Sequence, residues 1–154
     1  MGQYHTIINT TKNERIDFSG SKLWEKAHCP IASMALLVLM SNSNGRGGGD
    51  LCNPIIQDFD SFVDPSKRAK YTNFKGTKFT KKEFLKAQKA LESISGRWAG
   101  DSIVVQGDYA EKGDTAFVSE EIPIKDITQL VKKAFTVLAE ATGNVKYIEK
   151  VKAS

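Results

Sequence analysis

Asp50, Asp101 and Asp108 each follow a glycine, as does Asp114. Clustered carboxylate oxygens hold hard divalent cations, and a metal-held water can attack a phosphoester. The first three aspartates therefore outline one chemistry, that of a metal-dependent phosphoesterase. Glycine followed by aspartate is also ordinary turn composition. Asp101 and Asp108 stand seven residues apart, and an odd separation puts side chains on opposite faces of a regular strand. They converge only through a bulge, for which Gly107 is the natural position.

Two of these aspartates close a repeated string. Gly45-Arg46-Gly47-Gly48-Gly49-Asp50 and Gly96-Arg97-Trp98-Ala99-Gly100-Asp101 share the form G-R-x-x-G-D, 51 residues apart. Glycines let backbone N–H groups approach an anion, and arginine offers a planar fork to phosphate or carboxylate. Arg46, Gly47, Gly48, Arg97 and Trp98 are thus the candidate ligand-binding set, with Trp98 read as a lid or a surface for a stacked base. The competing explanation is two turns of similar composition, with Trp98 in the core. Neither loop matches G-x-x-x-x-G-K-[ST]. The first also follows a helix, whose C-terminal dipole disfavours an anion.

Other catalytic signals are thin. His5 precedes Thr6 by one place, but the chain has only one other histidine, His28, and no second H-x-T. Cys29 and Cys52 form no CxxC and are read as reduced thiols. No cofactor and no metal site is expected, and the balance favours a protein that binds over one that catalyses.

Charge is more informative. The chain carries net charge +4, yet residues 67–89 hold nine basic residues and one acid, so the rest is mildly acidic. Tyr71, Phe74, Phe79 and Phe84 interleave with the cations. Phosphates attract the cations and aromatic faces stack exposed bases. Lys70, Lys75, Lys78, Lys81 and Lys82 are the candidate nucleic-acid contacts, and Lys78, Lys81, Lys82 and Lys86 share one helical side by spacing. No zinc finger, RNP pattern or GXXG clamp is present, so binding of low sequence specificity is expected. An acidic protein partner is the alternative. The longest apolar run, residues 34–40, is far short of the roughly 20 residues a bilayer span needs, and no leader is visible, so a cytoplasmic location without membrane contact is expected.

These residues need elements to position them. A chain of 154 residues with 40% apolar content fits one globular domain, 1–154, with 61–94 as a basic elaboration. Strands are expected at 3–9, 15–18, 102–109 and 115–119, the last two as a hairpin. Pro30 opens a helix over 31–40 that is apolar on nearly every side and so reads as buried. Thr80 and Glu83 form a capping box for a helix over 81–93, shallowly buried because Phe84, Leu85, Gln88, Leu91 and Glu92 make only a partial stripe. Ile127, Leu130, Val131, Ala134, Phe135, Leu138 and Ala141 repeat at helical spacing after Pro123, and a closing helix turns Val145, Ile148 and Val151 inward. The fold class is α+β, an antiparallel sheet of about four strands against three or four helices.

Gly2-x-Tyr4, Ser43-Asn44-Gly45-Arg46-Gly47-Gly48-Gly49-Asp50-Leu51 and Trp98-Ala99-Gly100-Asp101-x-Ile103-x-x-x-Gly107-Asp108-Tyr109-Ala110 resemble a family of small uncharacterised prokaryotic and phage proteins, in which MGxYxxxxN, NGRGGGDL and WAGDxIxxxGDYA recur. The resemblance covers 1–51 and 95–110, under half the chain. It implies kinship without a chemistry. It also implies that the segment between the Gly loops, basic residues included, is an elaboration, and that a bacterial or infected cell is the setting. A phage-type accessory inhibitor docking on an acidic protein is the function it adds to the alternatives.

Overall fold

A computed structural model describes residues 3–18, 22–42, 81–142 and 151. Arg46, Gly47, Gly48, Asp50, Lys70, Lys75 and Lys78 lie outside these residues, as do Cys52, Thr80, Val145 and Ile148; the side chains of Lys81 and Phe84 also lie outside the description.

The sheet grows from its first hairpin. His5–Asn9 forms β1 and Glu14–Ile16 forms β2, antiparallel, with Ile7 opposite Ile16 and Asn9 opposite Glu14. Ile103–Gly107, β3, pairs antiparallel with the other side of β1, from His5 opposite Gly107 to Asn9 opposite Ile103. Lys125–Asp126, β4, joins β2 in parallel, giving the order β3-β1-β2-β4. The sheet is therefore mixed, where an antiparallel one was expected. A two-residue strand with both side chains exposed has no alternation for a sequence pattern to register.

Four helices accompany it among the described residues: α1 (Leu23–Ala27), α2 (Pro30–Met40), α3 (Lys81–Glu92) and α4 (Thr128–Thr142). The fold is α+β. Alternation along the strands sends Ile7 and Ile16 to one face. There they join Ile31, Ala35, Val38 and Leu39 of α2, Ala87, Ala90 and Leu91 of α3, and Val131, Phe135 and Leu138 of α4 in one apolar cluster. Val151, the single described residue beyond α4, is buried in the same cluster.

Three expectations need correction. α3 buries Ala87, Ala90 and Leu91, and Ile94 just beyond it is buried too, while Leu85 is exposed, because small alanines let the helix sit close to α4 and set a different inward face. α2 is not buried on every side: Ser33, Leu37 and Met40 face outward, with Leu37 71% exposed. A helix apolar all round gives no sign of which face docks, and here Ala32, Ala35, Val38 and Leu39 do. Residues 115–119 form no hairpin strand. The Gln106 side chain instead donates to Val118 O (2.9 Å) and accepts from Val118 N–H (2.6 Å). One amide thus holds the return segment, doing locally what a strand ladder does. Val118 is buried, as is Ile8 on the sheet face turned away from the helical cluster.

Candidate functional site

The second G-R-x-x-G-D string is a docking turn. α3 ends at Glu92, and Ser95 N–H still donates to Leu91 O (3.0 Å). The chain then turns onto the end of α2, where Gly96 N–H donates to Val38 O (3.1 Å) and Trp98 N–H to Leu39 O (2.8 Å). These bonds satisfy carbonyls that every helix C-terminus leaves without an internal partner. Gly96 has φ +74°, and a Cβ there would stand 3.0 Å from the Ser41 carbonyl oxygen. Gly96→Ala should therefore cost about 1–2 kcal/mol. Urea denaturation checks this, and a change below about 0.5 kcal/mol would contradict the tight fit.

Arg97 and Trp98 converge on Glu14 at the start of β2. Arg97 donates from Nε to Glu14 Oε2 (3.0 Å) and from Nη2 to Oε1 (2.6 Å), and Trp98 Nε1–H donates to Oε2 (2.8 Å). Trp98 is 0% exposed and Glu14 is buried with it. The bonds from Arg97 hold the Glu14 carboxyl below its ordinary value, against the opposite push of burial, with the Trp98 bond adding to Arg97's effect. The same pairing raises the Arg97 guanidinium. This corrects the reading of Arg97 and Trp98 as ligand-binding. The arginine fork is filled by a carboxylate of the chain itself, and the indole has no open face for a base or a lid.

Asp101 faces the β1–β2 turn. It accepts from Asn9 Nδ2 (2.8 Å) and pairs with Lys12 Nζ. Lys12, then Asn9, hold its carboxyl below the ordinary range. Asn9, fully buried, uses its carbonyl to accept Lys12 N–H (2.9 Å). Asp108 lies at the far end of β3, where Oδ1 accepts Tyr4 N–H (3.0 Å) and its own N–H donates to Tyr4 O (2.8 Å). The register runs unbroken through Gly107, so there is no bulge, and the strand between them holds the two aspartates, seven positions apart, about 20 Å from one another. They do not share a site, and among the described residues no group of three His, Cys, Asp or Glu side chains could hold a metal.

Tyr4, Asn9, Gly96, Trp98, Asp101 and Asp108, which carry much of the described part of the motif strings, are thus all spent on closing the sheet and seating the turn. The first Gly loop lies outside the described residues; Asn42, just before it, has its Cα 3.9 Å from where a Cβ on Gly96 would stand.

The open, charged surface is on α3. Lys82, Lys86 and Lys89 are all exposed and fall within about 60° of one another around the helix. None pairs with a carboxylate among the described residues. Leu85, 45% exposed, lies in the same stripe, and Glu92 borders it one turn past Lys89. Lys82 belonged to the expected set. Lys89 did not, although it falls on the same helical line three turns after Lys78, because the spacing argument stopped at Lys86. Counting exposed lysines from the buried Ala87–Leu91 face outward would have found it. No described helix is long and apolar enough to cross a membrane.

Comparison with protein-family models, with curated proteins and with solved structures finds no match to this chain.

Proposed function

We propose that this protein binds nucleic acid with low sequence specificity, by contact with backbone phosphates and without catalysing a reaction on it. The observation that carries the reading is the α3 stripe. Lys82, Lys86 and Lys89 set three cations along about 10 Å of one helix side, a spacing at which they can reach neighbouring phosphates of one strand. The three lysines are exposed and without carboxylate partners among the described residues, so a phosphate displaces no ion pair within that part of the chain. The stripe belongs to a segment, 67–89, whose positive charge exceeds the net charge of the whole chain. A cytoplasmic location goes with this reading.

Fluorescence anisotropy with labelled single-stranded DNA and RNA tests it. The triple variant Lys82→Glu, Lys86→Glu, Lys89→Glu should bind about 100-fold more weakly at about 100 mM salt, the counterion-release contribution of three phosphate contacts. Unchanged affinity in that variant contradicts the assignment.

A second reading, docking on an acidic protein surface, is favoured by one observation. Leu85 stands exposed among the lysines, and phosphates have no use for an aliphatic side chain. Leu85→Ala separates the two: nucleic-acid affinity should not change, whereas an acidic partner with an apolar centre would be lost.

A further inference from the structure

Among the described residues nothing covers the β3 edge of the sheet, and its backbone chemistry specifies what fits there. Thr10 N–H donates to Ser102 O and Asp108 N–H donates to Tyr4 O. In an antiparallel ladder the bonded pairs alternate, so residues 102, 104, 106 and 108 point their N–H and C=O groups at β1. Ile103, Val105 and Gly107 therefore point theirs away. Of these outward groups, the Gly107 carbonyl accepts Ala110 N–H (3.1 Å). The N–H and C=O of Val105 and Ile103 meet no described partner, and β3 ends the strand order. Edge strands are commonly guarded by a charge, a proline or a bulge. The sequence Ile103-Val104-Val105-Gln106-Gly107 has no charge and no proline, and its register shows no bulge. Val105 lies at its midpoint with 44% of its surface exposed.

We propose that β3 is a homodimer edge, pairing antiparallel with β3 of a second copy about a two-fold axis at Val105. The occupant follows from self-complementarity. Centred on Val105, the outward groups of one strand meet the same groups of the other in bonding register: Val105 N–H donates to Val105 C=O of the second copy, and the reverse. Gly107 N–H then reaches Ile103 C=O, again in both directions. Four backbone bonds form with no change in the internal ladder. The two Val105 side chains meet across the axis, a β-branched pair that adds apolar contact. Such an interface is isologous and closes at two copies, so neither copy keeps an open β3 edge. This is independent of what the α3 lysines bind.

Val105→Pro tests it cleanly. The Val105 N–H takes no part in pairing with β1, so proline removes an outward donor and spares the monomer's ladder, as proline on edge strands does. Sedimentation equilibrium from about 10 to 500 µM should show the parent protein passing from monomer to dimer. Val105→Pro should stay monomeric throughout with unchanged far-UV circular dichroism. Val105→Lys, a substitution at an exposed side chain, sets like charges face to face and should also be monomeric, which keeps the test decisive if the proline variant misfolds. A parent protein that remains monomeric over that range, or variants that dimerise as the parent does, overturns the proposal.

Discussion

Trp98→Ala is expected to destabilise the protein by about 4 kcal/mol, the cost of deleting a large buried aromatic side chain and leaving the cavity. The indole is fully enclosed and is the largest of the fully buried side chains. Its N–H also satisfies a buried carboxylate, Glu14 (2.8 Å). Total stabilities of such domains are about 5–15 kcal/mol, so much of the margin goes with one residue. Trp98→Phe isolates the polar part. It keeps most of the packing and loses the donor, for a smaller cost of about 1–2 kcal/mol. Urea melts of the two variants separate the contributions, and near-parental stability of Trp98→Ala would show that the turn does not sit on the core as described.

Glu14→Ala is expected to cost about 3 kcal/mol, near the lower end for breaking a buried ion pair because a third of the Arg97 side chain reaches solvent. Removal strands two donors, the guanidinium and the indole N–H, beside the core. Acid gives a second signature. Arg97 holds the Glu14 carboxyl below its ordinary value of 4.5. A carboxyl lowered in the folded state binds fewer protons there than in the unfolded chain. Its stabilisation is complete above 4.5 and is lost as the pH falls below that value and through the folded one. Asp101, lowered by Lys12 and Asn9, acts in the same direction. Glu14→Gln should therefore be less stable at pH 7, with a shallower loss between about pH 5 and 3. A parental acid profile in that variant would mean that the Glu14 cluster does not contribute to acid sensitivity.

These two effects also explain which parts of the molecule were legible in the sequence. Gln3-to-Asn9, the helix opened by Pro30, and the long helix ending at Thr142 announce themselves by β-branched runs, a proline at N1 and 3.6-residue periodicity. The inward register of α3 was hidden because two of its core positions are alanines, which pattern arguments weight lightly. β4 and the clasp of Gln106 on Val118 were invisible because each rests on one long-range pairing with no local period. The candidate ligand loop was misread for a related reason. Arginine, tryptophan and aspartate among glycines look the same whether they face a ligand or Glu14 and Asn9, which are 83 and 92 residues away in sequence. Only the distant partner decides. The basic stripe was legible as charge and as spacing, since Lys82 and Lys89 stand two helical turns apart, but its exposure became visible only once Ala87 and Leu91 fixed the inward side.

The measurement that bears most directly on nucleic-acid binding is the salt dependence of affinity for single-stranded DNA, followed by anisotropy between about 50 and 200 mM salt. The plot of log affinity against log salt should be steep for the parent protein. It should flatten by about two units in the Lys82→Glu, Lys86→Glu, Lys89→Glu variant, as loss of three phosphate contacts requires at about 0.7 per contact. An absence of binding at the lowest salt, or parallel slopes for parent and variant, would contradict the assignment of α3 as a phosphate-contacting surface.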